Sequence, residues 1–251
     1  MLLRALTFSA LAIFVSMHQT AGAAEIKVAV ASNFTNTAKV LAENFEKSTH
    51  HTITLLVGSS GKHLSQIRFG LDVDVFMAAD VERPALLEKM NLAQTGSRKT
   101  YAFGRLVVWS KNRNLSDLNA QSASAILRAQ GQQPIAIANP KLAPYGLAAK
   151  ELFESLSLEP QLVYGESVAQ AFQFVNGGGA QLGILALSQV HNLELGSYFL
   201  WPESHHQAIA QQMLIVKSSA QAKAWYDYVL SESGQAIIES SGYRRANLEF
   251  H

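Results

Sequence analysis

Four short segments rich in serine, asparagine and glycine each follow an apolar, strand-like run and precede a helical pattern. These segments are residues 31–35 (ASNFT), 58–61 (GSSG), 139–146 (NPKLAPYG) and 165–168 (GESV). The first backbone N–H groups of a helix have no partner within the helix, and the helix dipole gives that end a partial positive charge. Short hydroxyl and amide side chains add donors, and glycine lets a ligand approach the backbone closely. The four segments are therefore suited to bind an anion without lysine or arginine.

Helix capping is the alternative interpretation of these segments. Serine and asparagine are common helix N-caps, and GSSG is an ordinary turn sequence. Capping alone would explain any one of the four segments. Their joint occurrence favours ligand binding, because helix starts that follow strand ends in open α/β sheets surround a common cleft.

We find no catalytic motif that would favour an enzyme over an anion-binding site. The run GSSGKH at residues 58–63 is not a P-loop, because its glycines are too close together and histidine stands where serine or threonine is required. The sequence contains no G-x-S-x-G and no H-E-x-x-H motif. An enzyme acting on a phosphorylated or sulfated metabolite remains an alternative, with His63 and Asp80 as its titratable candidates. Asp80 is expected instead to cap the helix that follows it.

Apolar runs of strand length alternate with helical patterns along the chain. Strands are predicted at residues 26–31, 52–57, 73–77, 101–110, 134–138, 161–164, 181–186 and 211–216. Helices are predicted at residues 35–47, 63–69, 81–90, 122–129, 146–156, 168–175, 220–230 and 234–240. This order predicts an α/β fold with mainly parallel sheets and helices on both faces. Because the pattern restarts after the long strand at 101–110, we expect two lobes of similar size with a cleft between them.

The first residues set the expected compartment. Residues 1–24 have the pattern of a secretory signal peptide, with Arg4, an apolar run at 5–17 and small residues at 21–24 that allow cleavage before or after Ala24. Removing them leaves 227 of the 251 residues and takes Lys+Arg from 20 to 19, against 19 Asp+Glu. A net charge of zero argues against nucleic acid or an anionic membrane surface as a partner. The chain has no cysteine, so its core must be held without disulfides.

Several blocks, in order, resemble the periplasmic molybdate-binding protein family, whose members are receptor components of molybdate ABC importers. The similarity runs from Glu25 to the C-terminus. The blocks are VAVASNFTNTAKVLAENFEK, VGSSGKHLSQIRFGLDVDVFMAAD, TYAFGRLVVWS, IANPKLAPYGLAAKELF, ESVAQAF and LGILALSQV. The second block, a serine loop followed by a helix with Gln-Ile and a strand ending in Ala-Asp, is the most distinctive. The resemblance implies the two-lobed fold of periplasmic binding proteins, with lobe I at residues 25–104 and 213–251 and lobe II at residues 105–212.

The resemblance also implies the residues that bind the anion. Ser32, Asn33 and Ser60 would contact it from lobe I, Ser60 with both its hydroxyl and its backbone N–H. Tyr145 and Val168 would contribute mainly backbone N–H groups from lobe II. The ion, molybdate or tungstate, would be held through its oxygens, with no bond from the protein to the metal and no cofactor.

One position departs from the family pattern. A branch of the family places a tyrosine hydroxyl at the end of the strand that here reads GILA, and Ala186 occupies that place. The chain is more similar to the branch that has a tyrosine in the NPKLAPYG loop. Whether the Tyr145 hydroxyl replaces the missing donor stays open at this point.

The resemblance further implies partners and a location. We expect a monomer in the periplasm that delivers its ligand to an inner-membrane ABC permease with its ATPase subunits. The five expected binding residues include no carboxylate, so we predict that fully ionised dianions are favoured over a protonated phosphate, which needs an acceptor for its hydrogen. A receptor for another small oxyanion, such as sulfate, is the alternative function.

Overall fold

Two α/β lobes make up the described part of the protein. The computed structural model describes residues 23–246, and each lobe is built on one sheet. The expected signal peptide, residues 1–24, lies outside the described residues except for its last two positions. None of the helices within residues 23–246 is long and apolar enough to cross a membrane.

The secondary structure follows the predicted alternation closely. The strands are β1 Glu25–Ala31, β2 Thr52–Gly58, β3 Val75–Met77, β4 Lys99–Gly104, β5 Leu106–Ser110, β6 Ile135–Ala138, β7 Leu162–Gly165, β8 Leu182–Ala186, β9 Ser197–Leu200, β10 Ile209–Ile215 and β11 Arg244–Arg245. The helices are α1 Thr35–Thr49, α2 Ser60–Arg68, α3 Glu82–Lys89, α4 Ala120–Arg128, α5 Pro144–Ser155, α6 Val168–Asn176, α7 Leu187–Val190, α8 Ala220–Leu230 and α9 Glu232–Ser240. Short 3-10 helices lie at Ser32–Phe34 and Glu203–His205. The prediction missed β9, β11 and the one-turn helix α7.

Both sheets are mixed, with three parallel strands at one side. The first has the strand order β11-β4-β10-β3-β1-β2, in which β1 pairs in parallel with β2 and β3. The second has the order β7-β6-β8-β5-β9, in which β6 pairs in parallel with β7 and β8. The remaining strands are antiparallel. The two-lobed α/β fold is confirmed, and the four polar segments begin at the carboxyl ends of the parallel strands β1, β2, β6 and β7.

The chain crosses between the sheets at Arg105. The predicted strand 101–110 is in fact two strands, because β4 ends at Gly104 in the first sheet and β5 begins at Leu106 in the second. Both halves are buried and apolar, so hydrophobicity alone does not reveal the break. The chain returns to the first sheet at Ile209, which pairs with Gly104. This return lies four residues before the lobe boundary expected at 213.

Each lobe has its own hydrophobic core. In the first lobe, α1 buries Ala38, Leu41 and Phe45, which lie on one face at helical spacing, against β1 and the terminal helices. In the second lobe, β5, β6 and β8 are buried along their whole lengths beneath α5 and α6. Strands that are buried on both faces read as continuous apolar runs, and their rigid ends fix where the following polar segments lie.

Candidate anion-binding site

The five expected binding residues line one small cavity between the lobes. Its lining consists of Ala31, Ser32, Asn33, Ser59, Ser60, Ala79, Ala143, Pro144, Tyr145 and Val168. The cavity is small, about 10 Å³. No lining residue carries a charge. The cavity therefore offers a small ligand only neutral hydrogen-bonding groups.

Ser32 and Asn33 lie directly after β1, in the 3-10 helix that leads into α1. No side chain caps this helix start. The Asn33 side chain is already bonded, because its Nδ2 donates to Gln211 Oε1 at 2.9 Å and to the Tyr243 hydroxyl at 3.0 Å. Its backbone N–H is thus the donor it can offer to an anion. The Ser32 hydroxyl makes no hydrogen bond to another described residue and is free to donate.

Two adjacent serines begin α2 and differ in role. Ser59 is the N-cap, and its hydroxyl accepts a long hydrogen bond of 3.4 Å from the Lys62 N–H. The Ser60 hydroxyl accepts a hydrogen bond of 2.9 Å from the buried Ala79 N–H. Because this bond uses a lone pair of Ser60 Oγ, the hydroxyl proton remains available for a ligand. The structure thereby separates the capping serine from the one that can donate to an anion.

The second lobe contributes the starts of α5 and α6. In α5, Pro144 has no N–H, and the Gly146 and Leu147 N–H groups both donate to the Ala143 carbonyl. The Tyr145 N–H is the donor of that turn that remains for a ligand. In α6, the Ser167 hydroxyl caps the Gln170 N–H at 3.3 Å. The cap leaves the N–H of Val168, at the first helical position, for a ligand.

The Tyr145 hydroxyl is buried and lies against Gly104 and the Gln211 amide, neither of which lines the cavity. Burial raises the pKa of Tyr145 well above its ordinary value, so the hydroxyl stays protonated. Ala186 does not line the cavity. We therefore expect Tyr145 to serve the site through its backbone N–H and not through its hydroxyl.

A buried polar network next to the cavity was not predicted from the sequence. The Ser188 hydroxyl of α7 donates to the Asn33 carbonyl at 3.0 Å, which joins the two lobes. Tyr243 OH lies 2.8 Å from both the Ser188 hydroxyl and the Asn33 carbonyl, and Gln211 Oε1 accepts from Tyr101 at 3.1 Å. Ser188 follows a buried strand, as the four polar segments do, so the same signal could have found it. Gln211 and Tyr243 carry no such signal.

The two titratable candidates for catalysis have structural roles. His63 is buried beneath the site, and its Nε2 lies 3.2 Å from the Val30 carbonyl. Because a carbonyl only accepts, Nε2 carries the proton, and burial lowers the pKa of the imidazole and keeps it neutral. Asp80 accepts from the Arg83 N–H at 2.8 Å and pairs with its guanidinium at 2.7 Å, as expected for a residue that caps α3. Neither residue lines the cavity.

Other depressions on the protein do not gather the same donors. An open depression of about 520 Å³ in the second lobe is lined by Lys111, Arg113 and the glycine loop after α6. Within residues 23–246, no group of three or more histidine, aspartate and glutamate side chains could hold a metal ion. Two larger depressions also lie between the lobes, one at the starts of α3 and α5 and one at the starts of α2 and α6. The small cavity is the one that brings together Ser32, Asn33, Ser60, Tyr145 and Val168.

Known proteins are similar to this chain over most of its length. Residues 26–244 match the family described as bacterial extracellular solute-binding protein. The chain is 38% identical over 242 residues to the molybdate-binding protein ModA of Rhodobacter capsulatus, with 94% of each chain covered. It is 40% identical over 233 residues to the ModA of Azotobacter vinelandii, covering 89% of this chain and 91% of that one. The solved structure of the Azotobacter vinelandii periplasmic molybdate-binding protein superposes with a TM-score of 0.82 at 35% identity, covering 88% of this chain and all of that one.

Proposed function

Because this chain belongs to the family of bacterial extracellular solute-binding proteins, we propose that it captures molybdate and delivers it to a membrane ABC importer. Its relatives of 38% and 40% identity are molybdate-binding proteins, and the same capture is assigned to this chain. The chain is a binding protein and not an enzyme, and molybdate is its transported ligand and not a cofactor. Tungstate, an oxyanion of the same shape and charge, is proposed as a second ligand.

The observation that carries the proposal is the neutral cavity at four helix starts. We assign the anion to the backbone N–H groups of Ser32, Asn33, Ser60, Tyr145 and Val168 and to the two serine hydroxyls among them. A hydrogen bond to a charged group contributes roughly 1.5–3 kcal/mol, so about seven donors give on the order of 10–20 kcal/mol before dehydration of the anion and ordering of the lobes. We expect a net of about 8–12 kcal/mol, a dissociation constant between micromolar and nanomolar.

The absence of a carboxylate in the cavity lining favours fully ionised anions. A hydrogen phosphate ion would have only neutral oxygens to accept its O–H, and any such bond would use a hydroxyl or carbonyl that is a weaker acceptor than a carboxylate. Molybdate and tungstate are fully ionised near neutral pH and need no such acceptor.

Export and delivery complete the proposal. Residues 1–24 would direct the chain to the periplasm and be removed before or after Ala24. An anion bonded to donors of both lobes stabilises the closed arrangement over an open one. The inner-membrane permease, with its ATPase subunits, would recognise a closed monomer and so distinguish loaded from empty protein.

Calorimetric titration of the purified protein with four oxyanions tests the proposed function. We expect tight binding of molybdate and tungstate, and binding of sulfate and phosphate that is weaker by about 100-fold or more, or about 2.7 kcal/mol. Equal affinity for sulfate and molybdate would overturn the molybdate assignment in favour of a general oxyanion receptor. Turnover of phosphate or sulfate esters would overturn the conclusion that the protein only binds.

A further inference from the structure

The two lobes contact each other directly beside the cavity. The Gly61 N–H of the first lobe donates to the Leu142 carbonyl of the second at 2.9 Å. The Arg83 guanidinium, from α3 of the first lobe, donates to the Lys141 carbonyl at 3.1 Å. Residues 141–142 belong to the loop that leads into α5. We call these two contacts, made by Gly61 and Arg83 with residues 141–142, the rim contacts.

The rim contacts are held in place from the first lobe. Arg83 forms an ion pair with Asp80 at 2.7 Å, and the two side chains are only 16% and 14% exposed. This pair fixes the guanidinium so that its second nitrogen faces the opposite lobe. Gly61 lies in the first turn of α2, whose backbone is fixed by the helix. Both donors therefore present a rigid edge to the loop at 141–142.

The position of the rim contacts links them to the width of the cavity. Gly61 directly follows Ser60, and Leu142 lies three residues before Tyr145. The spacing between these two backbones therefore sets the spacing between the anion donors of the two lobes. An N···O distance of 2.9 Å is already an ordinary hydrogen-bond length, and closer approach meets steep repulsion.

We propose that Gly61 and Arg83 are positioning residues that stop lobe closure at a fixed spacing and so set the size of anion that can bond to both lobes. The inference rests on the proposed function and deepens it. A smaller tetrahedral anion such as sulfate cannot draw the lobes closer, because the backbones at Gly61 and Leu142 are already in contact. It then loses donors from one lobe, whereas a larger ion reaches both.

Glycine at position 61 is required by the opposite lobe. A Cβ atom there would lie 2.9 Å from the Leu142 carbonyl oxygen, 3.1 Å from Leu142 Cα and 3.3 Å from Arg83 Nε. Two of these neighbours are backbone atoms, which cannot rotate away. Within the helix itself alanine is the better residue. Gly61→Ala should thus hinder closure without harming the anion-free fold.

Gly61→Ala, with Gly179→Ala as its control, tests the inference. At position 179 a Cβ would lie 3.3 Å from the Phe174 carbonyl of its own lobe, so the control adds a methyl group without touching the other lobe. We expect Gly61→Ala to weaken molybdate binding by about tenfold or more, mainly through faster dissociation, because overpacking disfavours the closed state. Its anion-free unfolding midpoint should equal or exceed that of the wild type, and Gly179→Ala should bind normally.

Arg83→Lys provides a second measurement on the same contacts. A lysine can pair with Asp80 or donate to the Lys141 carbonyl. Its single ammonium group cannot hold both partners in the way that the two terminal nitrogens of a guanidinium do. We expect the ratio of molybdate to sulfate affinity to fall severalfold as the stop loosens. Wild-type molybdate affinity in Gly61→Ala, or an unchanged ratio in Arg83→Lys, would overturn this inference alone. A wild-type protein that binds none of the oxyanions would overturn the proposed function and this inference with it.

Discussion

Ser60 accepts one hydrogen bond and keeps its proton for another, which makes its hydroxyl directional. It accepts from the Ala79 N–H at 2.9 Å, and its proton is left for the anion. The chain leaving β3 passes beside the start of α2, so the Ala79 N–H reaches the Ser60 hydroxyl. The neighbouring Ser59 bonds instead within its own helix.

Ser60→Ala should therefore weaken both binding and folding. We expect a loss of about 1–3 kcal/mol in molybdate affinity because a donor to a charge is removed, and a similar loss of unfolding free energy because the Ala79 N–H is left buried without a partner. Calorimetry and urea unfolding measure the two effects. Ser59→Ala serves as the comparison, since loss of a cap costs about 1 kcal/mol of stability and should affect affinity less. Unchanged affinity in Ser60→Ala would remove Ser60 from the site.

Tyr145→Phe separates the backbone of this residue from its hydroxyl. The hydroxyl lies against Gly104 and Gln211, outside the cavity lining, so we expect molybdate affinity to stay close to that of the wild type. Tyr101→Phe is the matched control for stability, because the Tyr101 hydroxyl lies within 3.2 Å of the Ala78 carbonyl and 3.1 Å of Gln211 Oε1. The control should lose about 0.5–1.5 kcal/mol of unfolding free energy. A large loss of affinity in Tyr145→Phe would show that its hydroxyl contacts the anion.

At the scale of elements, His63 ties α2 to β1. Its Nε2 donates to the Val30 carbonyl at 3.2 Å, two residues before Ser32, so the two anion-binding segments of the first lobe are joined beneath the cavity. Its Nδ1 is buried and has no hydrogen-bond partner within the described residues. Burial lowers the pKa of this imidazole, because the charged ring would lose its hydration inside the lobe.

This lowered pKa makes the stability of the first lobe depend on pH. The unfolded chain binds a proton on His63 near the ordinary pKa of 6.5, and the folded chain binds it only at lower pH. As pH falls through that range, the unfolded state gains protons first and the free energy of unfolding decreases. His63→Gln keeps an amide donor for Val30 and does not titrate, so urea unfolding at about pH 7.5 and about pH 5.5 should show a smaller decrease in this variant. An equal decrease in both proteins would contradict the assignment.

The elements themselves could largely be predicted from the sequence, because apolar runs and helical spacing are local signals. The division of 101–110 into β4 and β5 could not, since Val107 and Tyr101 are equally buried although they lie in different sheets. The hydrogen bonds of the Asn33 side-chain amide could not be predicted from the sequence either. Its partners Gln211 and Tyr243 lie 178 and 210 positions away, and no local pattern connects residues at such a distance. Strand ends predicted where the site lies, and the resemblance supplied which ion it takes.

At the scale of the whole molecule, one residue of the proposed anion site also joins the two lobes. Asn33 belongs to the cavity lining. Its backbone carbonyl accepts a hydrogen bond of 3.0 Å from the Ser188 hydroxyl of the other lobe. Tyr243 lies 2.8 Å from both groups. The network therefore links the proposed anion-binding segment of the first lobe to the start of α7 in the second.

Ser188→Ala tests whether this link belongs to closure. Tyr243 can still donate to the Asn33 carbonyl, so no buried group is left without a partner. We expect molybdate affinity to fall by about 0.5–1.5 kcal/mol with little change in the unfolding of the anion-free protein. Ser110→Ala is the control, because the Ser110 hydroxyl bonds to Gln181 within the second lobe at 2.9 Å and should affect stability alone. Lost stability with unchanged affinity in Ser188→Ala would make Ser188 a purely structural residue.

A crystal structure of the protein with molybdate, with anomalous scattering to locate the metal, tests the central claim most directly. We predict one molybdenum atom in the cavity between the lobes, with its oxygens accepting hydrogen bonds from the N–H groups of Tyr145 and Val168 and from the hydroxyls of Ser32 and Ser60. No protein atom should bond to the metal itself. A molybdenum atom elsewhere in the cleft, or one coordinated directly by a side chain, would contradict the account.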